Sequence, residues 1–525
     1  MPLSRALWSR LPRLVRWLVV LAITLATLVL SGLLLADRLT PRAQGSASHA
    51  LPLQPAQTVL DRQLAPLLAA HPGQSGVAML GDGHDAFAAR TLISEQAGRS
   101  LDLQYYIWHD DMLGHLLAKA LHDAAERGVR VRLLLDDMNA KDKDALLLAL
   151  DAHPSIEIRL YNPFRNRHGI ARLLEMVQRV FSMNHRMHNK SWIADGRVAI
   201  VGGRNIGEEY FSARSDVNFQ DLDLLVAGPA VQQASAIFDA YWNSPAAVPI
   251  AALASPDSER LQQLLVQSTH DARLADAQPY LREVAASRQR QRPSAEPLHW
   301  STQVRIVSDP PMKHRGDDRQ QWLVTTLATE LQHSRHTALL ISPYFVPGQD
   351  GLDGLSQLSR AGVQVGVVTN SLAANDVAAV HGGYMGYRVP LLRAGVQLYE
   401  LKAHGQTGSA GPFGSSGASL HTKAFVLDDR RGFVGSFNLD PRSAYLNTEM
   451  GVLFDDAVLG AQLRDEYLRL ASPAQSYWLA LGDDGRLRWL ERQPPAHWVG
   501  PEPGSSLGKR ATARVISWLP IESQL

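Results

Sequence analysis

The 525-residue chain reads as an α/β protein made of two similar units in tandem, preceded by an apolar helix. Three observations lead there. The pattern His-x-Lys-x4-Asp, followed by a Gly turn ending in Asn, occurs as His188, Lys190, Asp195, Gly202 and Asn205, and again 233 residues later as His421, Lys423, Asp428, Gly435 and Asn438. One short match is weak, but a second copy with a matching tail points to a duplicated structural unit. Around both copies apolar runs alternate with helical stretches, which predicts parallel sheets buried on both faces. Ahead of them Trp17 to Ala36 is a charge-free run of 20 residues, enough as a helix to cross a hydrocarbon core of about 30 Å.

Taken in order, residues 1–16 form a basic segment with Arg5, Arg10, Arg13 and Arg16, and 17–36 the predicted transmembrane helix. The positive bias ahead of the span places the N terminus in the cytoplasm and the body outside it. A cleaved signal peptide is the alternative, because Ala43, Gly45, Ser46 and Ala47 follow. The run is longer, however, than the roughly 7 to 15 apolar residues of a signal. Residues 37–56, rich in Pro, Gly, Ser and Ala without periodicity, read as a linker.

The first unit, 57–250, contains a strand over 101–108, a helix reaching Arg127 and a strand over 128–135 before its motif. Residues 251–298 are a polar helical connecting segment that ends in the charge run Arg288-Gln-Arg-Gln-Arg-Pro293. The second unit, 299–470, repeats the order with a strand over 338–345, a helix over 352–360 and a strand over 362–369. A C-terminal extension, 471–525, carries Trp478, Trp489, Trp498 and Trp518 and reads as packing against the second unit.

At 45% hydrophobic and 20% charged residues the chain is globular rather than disordered. Its formal charge of +1 lacks the basic excess of a protein that grips a nucleic-acid backbone, so no nucleic-acid partner is expected. With no cysteine there is no disulfide, thiolate nucleophile, Cys-based zinc site or lipid-modified Cys anchor.

The repeated residue types suit transfer of a phosphodiester. That chemistry needs a nucleophile, an acid for the departing alcohol, and positive charge with hydrogen-bond donors around the phosphate oxygens. Histidine supplies an imidazole that titrates near neutrality, lysine a compact cation, and asparagine an uncharged amide donor. On a strand, His188 with Lys190 and His421 with Lys423 each share a face, two residues apart. Asp195 and Asp428 belong to the motif as candidate catalytic residues. Their odd spacing from the lysines, though, points them away from that face, where an ion pair would brace the fold.

These residues resemble the paired HKD motifs of the phospholipase D superfamily. The resemblance implies a pseudo-symmetric pair of α/β units whose motifs meet in one active site. It also implies two-step catalysis without metal or cofactor, with His188 as nucleophile and His421 as general acid and then base. Asn205, Ser436 and Asn438 are then the phosphate-binding candidates. The carboxylates that orient the histidines are Asp221 in the first half and Glu449 in the second. Gly203 stands where the second half has Ser436, so a hydroxyl contact to phosphate is expected from one side only.

Within the superfamily, Met187-His-Asn-Lys-Ser191, Val201-Gly-Gly-Arg-Asn-Ile-Gly207, Asp221-Leu-Asp223, Thr369 to Asp376, Leu398-Tyr-Glu-Leu401 and Gly435 to Ser443 resemble the bacterial cardiolipin synthases, particularly the C type. That likeness implies transfer of a phosphatidyl group onto phosphatidylglycerol, with phosphatidylethanolamine as donor. The enzyme would sit in the cell inner membrane with its body on the periplasmic side and phospholipids of the bilayer as partners. Asn375, Asp376, His381, Tyr384 and Arg388 are candidate acceptor contacts. Arg165 to Arg186, with its apolar helix 170–181, is a candidate interfacial element. Competing readings are a phospholipase D that passes the group to water, a membrane-anchored nuclease, and a binding scaffold with decayed sites.

Overall fold

Each motif forms a β-hairpin near the middle of a large mixed sheet. The computed structural model describes residues 12–39, 44–139, 144–167, 169–179, 182–255, 257–275, 277–290, 298–316, 318–403, 419–519 and 522–524. Several expectations lie wholly or partly outside these residues: Arg5 and Arg10 of the basic segment, Ala43, His168, Val180 and Phe181, and the end of the charge run from 291.

The strands of the first half are β1 (Ser75–Leu80), β2 (Ser100–Tyr105), β3 (Arg130–Asp136), β4 (Ile156–Tyr161), β5 (Ser191–Ala194), β6 (Val198–Gly202), β7 (Phe219–Gln220), β8 (Asp223–Ala227), β9 (Ala247–Pro249) and β10 (His299–Ser301). All but β7 join one nine-stranded sheet in the order β10-β1-β8-β6-β5-β2-β3-β4-β9. The second half supplies β11 (Val304–Ser308), β12 (Thr337–Ile341), β13 (Gln364–Asn370), β14 (Gln397–Leu401), β15 (Ser419–Leu420), β16 (Lys423–Leu427), β17 (Arg431–Gly435), β18 (Met450–Asp455), β19 (Ser476–Leu481), β20 (Leu487–Glu491) and β21 (His497–Val499). Its ten-stranded sheet runs β11-β18-β17-β16-β12-β13-β14-β19-β20-β21. The central run β1-β8-β6-β5-β2-β3-β4 matches β11-β18-β17-β16-β12-β13-β14, so the sequence repeat is a structural one.

The expectation of parallel sheets needs correction. Within the two large sheets only β2, β3 and β4, and their counterparts β12, β13 and β14, are mutually parallel. The motif strands are antiparallel, β5 with β6 and β16 with β17. The reason is the turn. Asp195 and Gly196 have φ of 53° and 65° and the Arg197 amide donates to Ala194 O at 2.9 Å. Asp428 and Asp429 have φ of 53° and 57° and the Arg430 amide donates to Leu427 O at 3.1 Å. Two left-handed central residues make a tight hairpin turn, whereas a parallel neighbour needs a long crossover.

The unit edges also differ from the sequence reading. His299–Ser301 pairs with β1 and so belongs to the first sheet, not to a unit beginning at 299. The connecting helices Ser258–Asp271 and Ala277–Arg290 pack on helices of the first half. Strand β19 of the C-terminal extension pairs with β14 and lengthens the second sheet.

One buried apolar core joins the facing sides of both halves, with Val201, Leu224 and Phe238 from the first and Val426, Val452 and Leu463 from the second. Two further cores fill the outer faces. Backbone bonds cross between the halves at the motifs. The His188 amide donates to Thr448 O at 2.9 Å, the His421 amide to Gln220 O at 2.8 Å, and β7 pairs with β15. A helix, Arg13–Leu39, covers the run expected to span a membrane, with Leu14, Trp17, Leu18, Leu21, Leu25 and Leu28 exposed. Among the described residues no helix is long and apolar enough to cross a membrane, so the span expected at 17–36 is not shown.

Candidate active site

His188 lies just ahead of β5 and His421 just ahead of β16, where each chain passes from an inter-half backbone bond into its own sheet. Their exposures of 8% and 7% leave each ring reachable by a ligand while removing most of its water. Each lysine folds back onto its own histidine's carbonyl, Lys190 Nζ to His188 O at 2.5 Å and Lys423 Nζ to His421 O. The charge of Lys423 acts on His188 and that of Lys190 on His421, which places both motifs around one centre.

The carboxylates pair with the histidines across the halves. His188 Nδ1 donates to Glu449 Oε2 at 2.8 Å, and His421 Nδ1 donates to Asp221 Oδ2 at 2.6 Å. His188 Nδ1 also faces Ser436 O at 3.2 Å, and a carbonyl can only accept, so the proton sits on Nδ1 and Nε2 is free. The crossing follows from the backbone: Thr448 and Gln220, the neighbours that accept the two histidine amides, immediately precede Glu449 and Asp221.

This geometry explains why the halves differ at Gly203 and Ser436. A Cβ on Gly203 would stand 2.2 Å from Asp221 Oδ1, so the shorter carboxylate occupies the space a side chain would take. In the second half the longer Glu449 leaves room, and Ser436 Oγ fills it by donating to Glu449 Oε2 at 2.5 Å. Ser436 is fully buried, and its hydroxyl also accepts from the Met450 amide at 3.0 Å. The hydroxyl expected on phosphate therefore braces a carboxylate instead. Ser443 Oγ donates to the other oxygen, Oε1, at 2.8 Å.

Asp195 and Asp428 are displaced from the chemistry by the same turns that close the hairpins. Asp195 accepts from the amides of Gly98, Arg99 and Ser100 at 2.8 to 2.9 Å. Asp428 accepts from those of Arg335, His336 and Thr337 at 2.7 to 3.1 Å. Each ties its hairpin to the start of the next strand, β2 or β12. Bracing is what the alternation implied, but the partners are chiefly backbone amides rather than an ion pair; only Asp428 adds one, with Arg431 Nη2 at 3.2 Å.

The asparagines also divide. Asn205 accepts from the Ile107 amide and donates to Tyr210 OH, both at 3.1 Å, so it holds scaffold. Asn438 Oδ1 is buried with no hydrogen-bond partner among the described residues; that oxygen only accepts, so it can take a hydrogen bond from an alcohol or ammonium, and toward a phosphate oxygen only the Nδ2 of this amide can donate. A buried amide atom without a partner is costly unless something binds it.

Burial lowers the pKa of both imidazoles, to about 4 for His188 and about 3 for His421. It also lowers Lys190 to about 7 and Lys423 to about 8. Glu449 and Asp221 stay ionised: burial opposes their charge, but the facing histidines and lysines outweigh it and hold both below the usual range. A bound anion raises the lysine pKa, so the complex holds more protons than the free protein above pH 7, and affinity falls as pH rises through that window. Sulfate, whose charge is constant there, is expected to bind roughly tenfold more tightly per pH unit lowered from about 9 to about 7. Thermal shifts in sulfate against chloride measure this. A pH-independent shift, or one kept by Lys190→Met, contradicts it.

Several site residues escaped the sequence reading. Tyr106 packs edge-on to His188 at 5.0 Å between centroids, and Tyr210 edge-on to His421 at 5.2 Å, with Phe219 stacked on the other side. Asp136 accepts from the Met187 amide at 2.8 Å. Lys313 and Asp309 form a buried pair at 3.0 Å; Lys313 also donates to Ser443 O and Asn447 O, and Asp309 accepts from the Glu449 amide. Only the aromatic cluster around Tyr105 and Tyr106 carried any sequence signal.

Of the candidate acceptor contacts, His381, Tyr384 and Arg388 are buried away from solvent. Arg388 pairs with Glu400 at 3.0 Å and Glu502 at 2.5 Å, and His381 meets Glu502 at 3.2 Å. Asn375 is buried too, its side chain accepting from the Val377 amide. Asp376 alone is exposed. Among the described residues no cluster of His, Asp or Glu is arranged to hold a metal ion.

Comparisons with known proteins agree with this architecture. The family model described as cardiolipin synthase, PLD-like domain matches residues 92–242 and again 327–471. Cardiolipin synthase C of Escherichia coli K12 is 42% identical over 467 residues, covering 87% of this chain and 98% of its own. An uncharacterized protein of Helicobacter pylori 26695 is 31% identical over 449 residues, covering 84% and 88%. Among solved structures, phosphatidylserine synthase of Haemophilus influenzae Rd KW20 superposes with a TM-score of 0.56 over 86% of this chain and 95% of its own. At 13% identity that likeness speaks for the fold alone.

Proposed function

Because this chain belongs to the cardiolipin synthase, PLD-like domain family of the phospholipase D superfamily, we propose how it acts as a phospholipid phosphatidyltransferase and on which lipids. The reaction makes cardiolipin, with phosphatidylglycerol as acceptor and phosphatidylethanolamine as donor. The observation that supports it most is the crossed cluster. Two histidines, each with Nδ1 fixed by a buried carboxylate of the other half, flank two dehydrated lysines.

In the first step His188 Nε2 attacks phosphorus, the bond from phosphorus to the ethanolamine oxygen breaks, and His421 gives that oxygen a proton. The anionic phosphodiester offsets the burial and the nearby lysine charge that otherwise disfavour a proton on His421. In the second step a glycerol hydroxyl of phosphatidylglycerol attacks phosphorus. The phosphorus–nitrogen bond breaks, its electron pair returns to His188, and His421 takes the hydroxyl proton. Lys190, Lys423 and Asn438 stabilise charge on the phosphate oxygens. Glu449 and Asp221 hold the tautomers.

We place the enzyme at the inner membrane, with the helix Arg13–Leu39 as a single-pass anchor and the body on the periplasmic side. Support comes from the exposed leucines of that helix and from the helix Gly169–Gln178 beside it, which exposes Ile170, Leu173 and Met176. A tethered site samples lipid at high effective concentration. Digestion of the body by protease added to spheroplasts is the expected sign of that orientation; protection reverses it.

Purified protein in liposomes of phosphatidylglycerol, with and without phosphatidylethanolamine, tests the reaction. The expected products are cardiolipin and, in the mixed vesicles, equimolar free ethanolamine. Release of phosphatidic acid alone assigns the chain as a hydrolase.

A further inference from the structure

We propose that Asp376, held by Tyr344, is the headgroup subsite: it recognises a hydrogen-bond donor on the carbon next to the reacting oxygen, first the ammonium of the leaving ethanolamine and then the second hydroxyl of the arriving glycerol. The inference rests on the transferase reading above and adds where the headgroup is read.

Topology puts Asp376 at the site. Strands β12 and β13 are parallel, and the chain that follows each leaves at the same sheet end, the usual place for ligands in such sheets. Tyr344 follows β12 and Asp376 follows β13. Strand β16 is antiparallel to β12, with Ile341 opposite Ala424, so His421 enters at that end as well. Asn370, the last residue of β13, clasps the residue before His421: its Nδ2 donates to Leu420 O at 3.0 Å and its Oδ1 accepts from the Leu420 amide at 2.9 Å. The charge of Asp376 acts on Lys423, and on Tyr210, whose ring packs against His421.

The carboxylate is fixed yet has acceptor capacity to spare. Tyr344 OH lies 2.9 Å from both Asp376 oxygens, but it has one proton to give to a group with about four lone-pair sites. Among the described residues no cation forms an ion pair with Asp376. The loop beneath it is tied to the C-terminal extension. Lys509 Nζ, from the C-terminal extension, donates to Ala373 O and Asn375 O at 3.2 Å, and behind them lies the buried cluster of Glu502, Arg388 and His381. A single exposed carboxylate on so braced a loop is suited to contact a ligand, and its charge disfavours a second phosphate there.

The side of the site matters. Asp376 follows β13 at the sheet end where His421 enters, and Asn370 of that strand clasps Leu420 beside His421, which puts Asp376 on the side where the proton is handed to the leaving alcohol and taken from the arriving one. Both headgroups pass through that position in turn. Asp376 moves no proton itself; it orients the alcohol.

The test is partitioning of the phosphatidyl group between soluble alcohols. Wild-type protein in phosphatidylglycerol liposomes receives equal 1-propanol and glycerol deuterated on carbon, so that newly made phosphatidylglycerol is heavier than the vesicle lipid, and the phosphatidyl products are weighed by mass spectrometry. The vicinal diol is expected to be preferred. Asp376→Asn should lower the glycerol to propanol ratio roughly tenfold, with Tyr344→Phe in the same direction but smaller. A second arm compares phosphatidylethanolamine with its N-acetylated analogue as donor; wild type should discriminate between them and Asp376→Asn should not. Unchanged ratios in a variant that melts like wild type overturn the inference. A lost donor preference with an unchanged alcohol ratio also overturns it as stated, leaving Asp376 to the donor alone. If wild type forms no phosphatidyl alcohol or cardiolipin at all, the transferase reading itself fails, before any variant is compared.

Discussion

His188→Ala and His421→Ala are each expected to reduce cardiolipin formation by at least about 10³-fold, with the fold intact. The two rings serve one centre, so neither half can act alone. The variants separate when the donor carries a leaving group that needs no proton, such as p-nitrophenol. His421→Ala should then release p-nitrophenol in a burst and accumulate an acid-labile phosphoenzyme, whereas His188→Ala should give neither. The reverse pattern exchanges the two roles. The third motif residue behaves differently. Asp195→Ala and Asp428→Ala each strand three backbone amides and should cost on the order of 3 kcal/mol of stability in denaturant titration, while activity per folded molecule stays near wild type. Loss of activity without loss of stability would return these aspartates to the chemistry.

The second large effect concerns the crossed carboxylates. Glu449→Gln and Asp221→Asn should each lower turnover by about 10²–10⁴-fold, as expected when a carboxylate that fixes a histidine tautomer is neutralised. The step affected depends on the crossing. Glu449→Gln should slow phosphoenzyme formation even with p-nitrophenol as leaving group, because Glu449 serves His188. Asp221→Asn should leave that burst largely intact and slow only reactions whose leaving group needs a proton, because Asp221 serves His421. If Asp221→Asn abolishes the burst and Glu449→Gln spares it, the pairing is within halves in the working enzyme.

Much of this was legible in the residues themselves. The duplication survives as matching strand orders, because a repeated pattern of apolar runs and turns refolds into the same local topology. The alternation argument that turned Asp195 and Asp428 away from the lysines also agrees with their places at the hairpin ends. Parallel strands were over-predicted, since an apolar run buried on both faces looks the same whether its neighbour is parallel or antiparallel; the positive-φ pairs Asp195-Gly196 and Asp428-Asp429 decided the matter. Ser436 and Asn205 were misread for a related reason. A polar side chain beside a catalytic residue can face the ligand or the scaffold, and spacing alone does not say which.

By itself the sequence determined that two histidines and two lysines recur 233 residues apart, each pair followed by a carboxylate, Asp221 or Glu449, whose identity and interval differ between the halves. Only the tertiary structure decided how they are shared. Thr448 and Gln220 lie hundreds of residues from the histidines whose amides they accept, so Glu449 came to His188 and Asp221 to His421 through packing of one half against the other. The same packing joined the Asp376 loop to the C-terminal extension through Lys509 and Glu502. Contacts between residues so distant along the chain depend on the shape of the shared core, and no local pattern encodes them.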